Sequence, residues 1–92
     1  MKSTAIFKHR EDLEWKKIEN EVVLIDDAEG KVFRFDPVAS EIWSQLNGKN
    51  SFPDIVQHLT EVFEVTSRQA QKDTEAFLKK LSGLDLIQKV ES

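Results

Sequence analysis

The apolar positions of this chain change their period twice. Val22-Val23-Leu24-Ile25 is an unbroken apolar, β-branched run, and it predicts a strand covered in part on both faces. Lys31 to Phe35 alternates, which predicts a strand with Phe33 and Phe35 on one side and Val32 and Arg34 on the other. From Asp36 onward the spacing is helical. Val32 to Leu46, VFRFDPVASEIWSQL, is the most informative stretch, because a strand there runs straight into a helix. Trp15 to Ile18 reads as a shorter strand, with a tight turn at Asn20-Glu21 leading into the Val22 run. Asp26 to Gly30 reads as a hairpin loop in which Gly30 takes positive φ.

Three helices follow, each with its own start signal. Asp36 caps the first, and Pro37 suits its first position because that residue has no partner for an N–H anyway. Val38, Ala39, Ile42, Trp43 and Leu46 share a face, and Gly48 is the expected stop. Ser51 caps the second helix, whose stripe is Phe52, Ile55, Val56, Leu59 and Phe63. Thr66-Ser67-Arg68-Gln69 is a capping box for the third. Its core face is Ala70, Phe77 and Leu81, flanked by Thr74 and Leu78. Gly83 is the expected end, and Leu84, Leu86, Ile87 and Val90 form a tail that packs back on the core.

Residues 1–14 carry only Ile6, Phe7 and Leu13 as large apolar side chains, so this arm is expected to be partly flexible. Residues 15–92 form the domain. The order β-β-β-α-α-α predicts an α+β fold resembling a winged helix-turn-helix, with a three-stranded antiparallel sheet followed by three helices.

Ninety-two residues suffice for one modest core, and 33% charged with 39% hydrophobic residues is ordinary for a soluble domain. With no cysteine, neither a disulfide nor a thiolate metal site can form. No secretory signal and no long apolar run is visible, so the expectation is a cytoplasmic protein without a membrane partner. A net charge of −4 disfavours nucleic acid, whose phosphates are bound mainly through clustered Lys and Arg.

No catalytic or metal constellation emerges. His9 and His58 are not at ligand spacing. Ser40 and Ser44 lack a nucleophile elbow. Asp26, Asp27 and Glu29 lack calcium-loop spacing and read as a solvated turn. Trp43 falls on the core face of its helix, whereas Trp15 fits either the sheet or a partly exposed position. Asp73 stands at the edge of an apolar face and is expected to bond a neighbouring backbone or basic side chain. Helix three carries Arg68, Lys72, Lys79 and Lys80 against Asp73 and Glu75, and Lys31 and Arg34 lie on the last strand. Two readings are open. These charges solubilise the surface, or strand and helix flank a groove whose free strand edge an extended peptide completes.

VVLIDDAEGKVFRF, FDPVASEIWSQLNG, SFPDIVQHLTEVFEV and QKDTEAFLKKLSGLDLI together resemble the PqqD family and its relatives, the recognition elements of ribosomally made, post-translationally modified peptides. The likeness covers about Lys16 to Val90. Ile42-Trp43, Gly48, Asp73 with Phe77-Leu78 and the closing Leu84-Asp85-Leu86-Ile87 carry it through their order and spacing. Asp36 stands where the family usually has Asn, Ala39 where Gly is common and Asn47 where Asp is common.

The resemblance implies a non-catalytic adaptor with no cofactor. It would bind the leader of a precursor peptide as an added strand and present it to a modifying enzyme, such as a radical-SAM maturase or a leader peptidase. It does not separate pyrroloquinoline quinone biosynthesis from lasso or radical-SAM peptide pathways. The implied binding residues are Lys31, Val32, Phe33, Arg34 and Phe35 on the strand and Gln71, Thr74, Glu75 and Leu78 on the helix. A basic edge would suit an acidic leader. A winged-helix DNA-binding protein is the alternative, and an edge strand pairing with its own copy would give a monomer or weak homodimer.

Overall fold

The computed structural model describes residues 5–90. It is an α+β fold with nine elements: β1 (Ile6–His9), β2 (Glu14–Ile18), β3 (Glu21–Asp26), β4 (Lys31–Arg34), α1 (Pro37–Gln45), β5 (Asn47–Ser51), α2 (Phe52–Val62), α3 (Ser67–Gly83) and β6 (Ile87–Lys89). The three strands expected from the pattern form one antiparallel sheet in the order β2-β3-β4. A second sheet, β5-β1-β6, was not expected. Its strands come from the segment read as an arm, from the stretch read as a helix stop and from the apolar tail.

Register decides which side chains enter the core. Trp15, Leu24 and Phe33 lie opposite one another on β2, β3 and β4, as do Ile25 and Val32 on the other face. Val22 and Leu24 are fully buried, while Val32 is 69% exposed. Trp43 on α1 sits at the centre of the aromatic packing. Its ring stacks on His9 at 3.9 Å and meets Phe35 at 5.6 Å and Trp15 edge-on at 6.1 Å. The two sheets are therefore joined through one indole. Trp15, half out of the core at 40% exposure, completes this aromatic cluster.

The helix starts match the pattern. The Ala39 N–H donates to Asp36 Oδ1 at 2.8 Å, and Ser51 and Asp54 form a reciprocal capping box. At α3 the Gln69 N–H donates to Thr66 Oγ1, but the Gln69 side chain donates to Asp73 Oδ1 at 2.8 Å, so only the Thr66 half of the expected box is described. The helix ends differ from the pattern. Leu46, not Gly48, is the C-cap of α1, and Gly48 lies inside β5 at φ +83°, where β5 carries extra residues against β1. Gly83 is the last residue of α3. The left-handed position falls two residues later, at Asp85 (φ +58°), where the Leu86 N–H donates to the Leu81 carbonyl.

Candidate functional site: the groove between β4 and α3

β4 is the edge of its sheet among the described residues. The Phe35 N–H donates to the Val22 carbonyl at 2.9 Å, which makes that pair hydrogen-bonded. Antiparallel pairs alternate, so Lys31 and Phe33 also turn their backbone groups to β3. Val32 and Arg34 turn their N–H and C=O groups to the open edge. Of the strand residues expected to bind the peptide, Lys31, Phe33 and Phe35 therefore offer side chains and not free backbone groups.

Ser40 sets the position of α1 against this strand. It is fully buried, accepts from the Val22 N–H at 2.7 Å and donates to the Phe35 carbonyl at 3.0 Å. The hydroxyl thus bridges the point where β3 and β4 part, and it steers the chain from Phe35 into the Asp36 cap. A polar residue on an apolar helix face was the only signal of this role in the sequence.

The groove floor is aromatic. The Phe35 ring meets Phe77 of α3 edge-on at 5.0 Å and lies 6.5 Å from Phe33. Two cavities flank it. One, of about 390 Å³, lies between the start of α1 and α3, beyond the end of β4; Val38, Ala39, Ile42, Ala76 and Phe77 are its apolar lining and Asp36, Asp73 and Lys80 its polar positions. The other, of about 260 Å³, is lined by Lys31 and Phe33 of β4, Gly83, Leu84 and Asp85 after α3, and Arg10, Asp26 and Glu29. The end of β4 thus faces the middle of α3, and its start faces the helix terminus, so the two run antiparallel across the groove.

The helix flank expected to face a ligand is not the one beside β4. Thr74 and Leu78 have no exposed surface and pack in the core. Gln71 looks the other way, into a cavity shared with Phe52, Pro53 and Val56 of α2. Glu75 is half-buried and pairs with Lys79 at 3.0 Å, which holds its carboxyl below the usual range. Asp73, Ala76, Phe77 and Lys80 are the helix residues on the groove side, and the two-residue offset from the expected set, a little over half a turn, reverses the flank.

The basic edge is also weaker than its residue count suggests. Arg34 donates to Glu21 at 3.1 Å. Lys31 and Lys80 take part in no ion pair among the described residues, and neither do Asp36 and Asp73. Asp73 bonds the Gln69 amide, not a basic side chain. Asp26, expected in a solvated turn, is 2% exposed and bound to Arg10 at 2.7 Å. Among the described residues no group of three metal-ligating side chains occurs and no helix is long and apolar enough to cross a membrane.

A family model described as coenzyme PQQ synthesis protein D matches residues 21–87, from the start of β3 to the first residue of β6. The chain belongs to the PqqD family. The matched span includes every groove element, β4, α1 and α3. The solved structure of TbiB1 in complex with the TbiA(beta) leader peptide superposes with a TM-score of 0.81 at 27% identity, over 92% of this chain and 99% of that one. Lasso peptide synthetase B1 complexed with the leader peptide gives a TM-score of 0.78 at 24% identity, over 89% of this chain and 96% of that one. At that identity the second likeness is one of fold. A sequence comparison with curated proteins found no match.

Proposed function

We propose that this PqqD-family chain is a non-catalytic adaptor that takes the leader of a ribosomally made precursor peptide as an added strand on β4. The observation that carries this is the open edge at Val32 and Arg34, set beside an aromatic floor and walled by α3. An extended peptide there gains main-chain hydrogen bonds from one side and side-chain pockets from the other. Full-length likeness to TbiB1, whose structure holds a leader peptide, supports the same reading. The peptide-binding set becomes Val32 and Arg34 through their backbones, with Phe33, Phe35, Asp73, Phe77 and Lys80 through side chains. Lys31 borders the far end.

The adaptor works in the cytoplasm as a monomer or weak homodimer. It hands the core segment to a separate enzyme, a radical-SAM maturase or a leader peptidase, by raising its local concentration. An NMR titration of labelled protein with a synthetic leader, taken from a short open reading frame neighbouring the gene, tests this. Saturable shifts are expected at the Val32 and Arg34 amides and along Asp73–Lys80. Shifts confined to the β2 edge or to the α2–α3 cavity would overturn it.

A further inference from the structure

The larger groove cavity has an uneven charge layout. Asp36 and Asp73 enter it from different elements, and neither has a cationic partner among the described residues. Each carboxylate has one oxygen already engaged. Asp36 Oδ1 accepts from the Ala39 N–H, and Asp73 Oδ1 accepts from the Gln69 amide. The second oxygen of each has no described partner. The one cation of the cavity, Lys80, lies seven residues beyond Asp73, about 10 Å along the helix and near a Debye length away. Between them lies apolar surface from Val38, Ala39, Ile42, Ala76 and Phe77.

A side chain with a long apolar stem and a cationic head fits that layout. We propose that this end of the groove is a subsite for a lysine or arginine of the bound peptide. The stem lies on the Val38, Ala39 and Phe77 surface, and the head reaches the free oxygens of Asp36 and Asp73. Phe77 adds a ring face over which a cation is favourable. The inference rests on the strand-addition reading and sharpens it. It also reverses the expected preference for an acidic leader at this end, because Arg34 spends its charge on Glu21. A carboxylate side chain would meet two like charges there, and a short aliphatic one would leave the head position empty.

The test uses a displayed library of random twelve-residue peptides, selected in parallel against the wild-type chain and the Asp36→Asn/Asp73→Asn double variant. Asparagine keeps both the cap and the acceptor for Gln69, so the fold is retained. Selected peptides must lose binding to Val32→Pro, which identifies those that pair with β4. Among these, Lys or Arg enriched at one position on the wild-type chain, and not on the double variant, is the expected result. Replacing that residue by norleucine should weaken binding to the wild-type chain about tenfold and to the double variant little. Edge-dependent binders with the same apolar or acidic residue on both proteins would overturn the subsite and leave strand addition standing. If neither protein selects any edge-dependent binder, the strand-addition reading falls and the subsite falls with it.

Discussion

Two polar residues, Ser40 buried and His9 half-buried, hold this fold in ways their positions alone do not suggest. Ser40 exchanges hydrogen bonds with two strands at once. Ser40→Ala leaves the Val22 N–H and the Phe35 carbonyl to find other partners away from water. An unsatisfied buried group costs about 1–3 kcal/mol, so the unfolding free energy should fall by that amount, which lowers the urea midpoint with the m-value unchanged. A variant as stable as wild type would mean that Val22 and Phe35 close directly on each other. His9 is the second case. Its Nε2 lies 2.6 Å from the Trp43 carbonyl and its ring stacks on the Trp43 indole. Burial outweighs that hydrogen bond and lowers the imidazole pKa below its ordinary 6.5. A depressed histidine favours the neutral form in the folded state, so its contribution is complete above pH 6.5. That contribution fades as pH falls from there through the folded value. Glu41, held below its ordinary 4.5 first by the His58 bond, loses its contribution only at lower pH. Denaturation at pH 7.5 and 5.5 should therefore show a loss that is smaller in His9→Phe. An equal loss in both proteins would assign the pH dependence to other groups.

At the scale of elements, the strands and helix starts that define the groove were legible, and the second sheet was not. Alternation from Lys31 to Phe35 located β4, and Asp36, Ser51 and Thr66 marked three helix starts, because caps act within a few residues. β1, β5 and β6 are short, and β5 (NGKNS) has no apolar pattern at all. Their existence depends on pairing with segments distant in the chain, such as Phe7 with Lys89 and Ile6 with Ser51, which no local window contains. The groove flank was missed for a related reason. Helical spacing separates an apolar face from a polar one but does not say which border of the face meets β4, and contact with Phe35 settled that for Phe77. Register now separates two strand substitutions. Val32→Pro removes an N–H that points to the open edge, so the domain should stay folded and bind leader at least tenfold more weakly. Phe33→Pro removes a bond to β3 and disturbs a partly buried ring, so it should lose structure outright. Circular dichroism with a binding isotherm separates the two. Loss of fold in both variants would show that the edge of β4 is not free.

At the scale of the whole molecule, the unexpected sheet has to be fastened to the sheet that carries the groove, and one ion pair does much of this. Arg10 follows β1. It reaches Asp26 at the end of β3 at 2.7 Å, Asp12 before β2 at 2.6 Å and the Asp85 carbonyl between α3 and β6 at 2.9 Å. It therefore ties both sheets and the α3 terminus at the far end of the groove, where Lys31 and Phe33 also lie. Asp26 is 2% exposed, so Arg10 takes the place of water at its carboxylate. Taking one member from such a pair is far more damaging than replacing both, because a carboxylate left alone in the interior keeps its desolvation cost. Arg10→Met should therefore lower the urea midpoint at least twice as much as Ser40→Ala. Arg10→Met with Asp26→Leu should recover most of the loss, since an apolar pair needs no partner. Binding offers a separate readout. The double variant, folded but without the tie to Asp85, should keep the Val32 and Arg34 edge while the Lys31–Leu84 end of the groove loosens. Faster amide exchange at Leu84–Leu86, with near-normal exchange along β3, would mark that loosening. If both variants lose the same stability, the unpaired Asp26 carries no cost of its own, and the join between the sheets rests on the Trp43 packing.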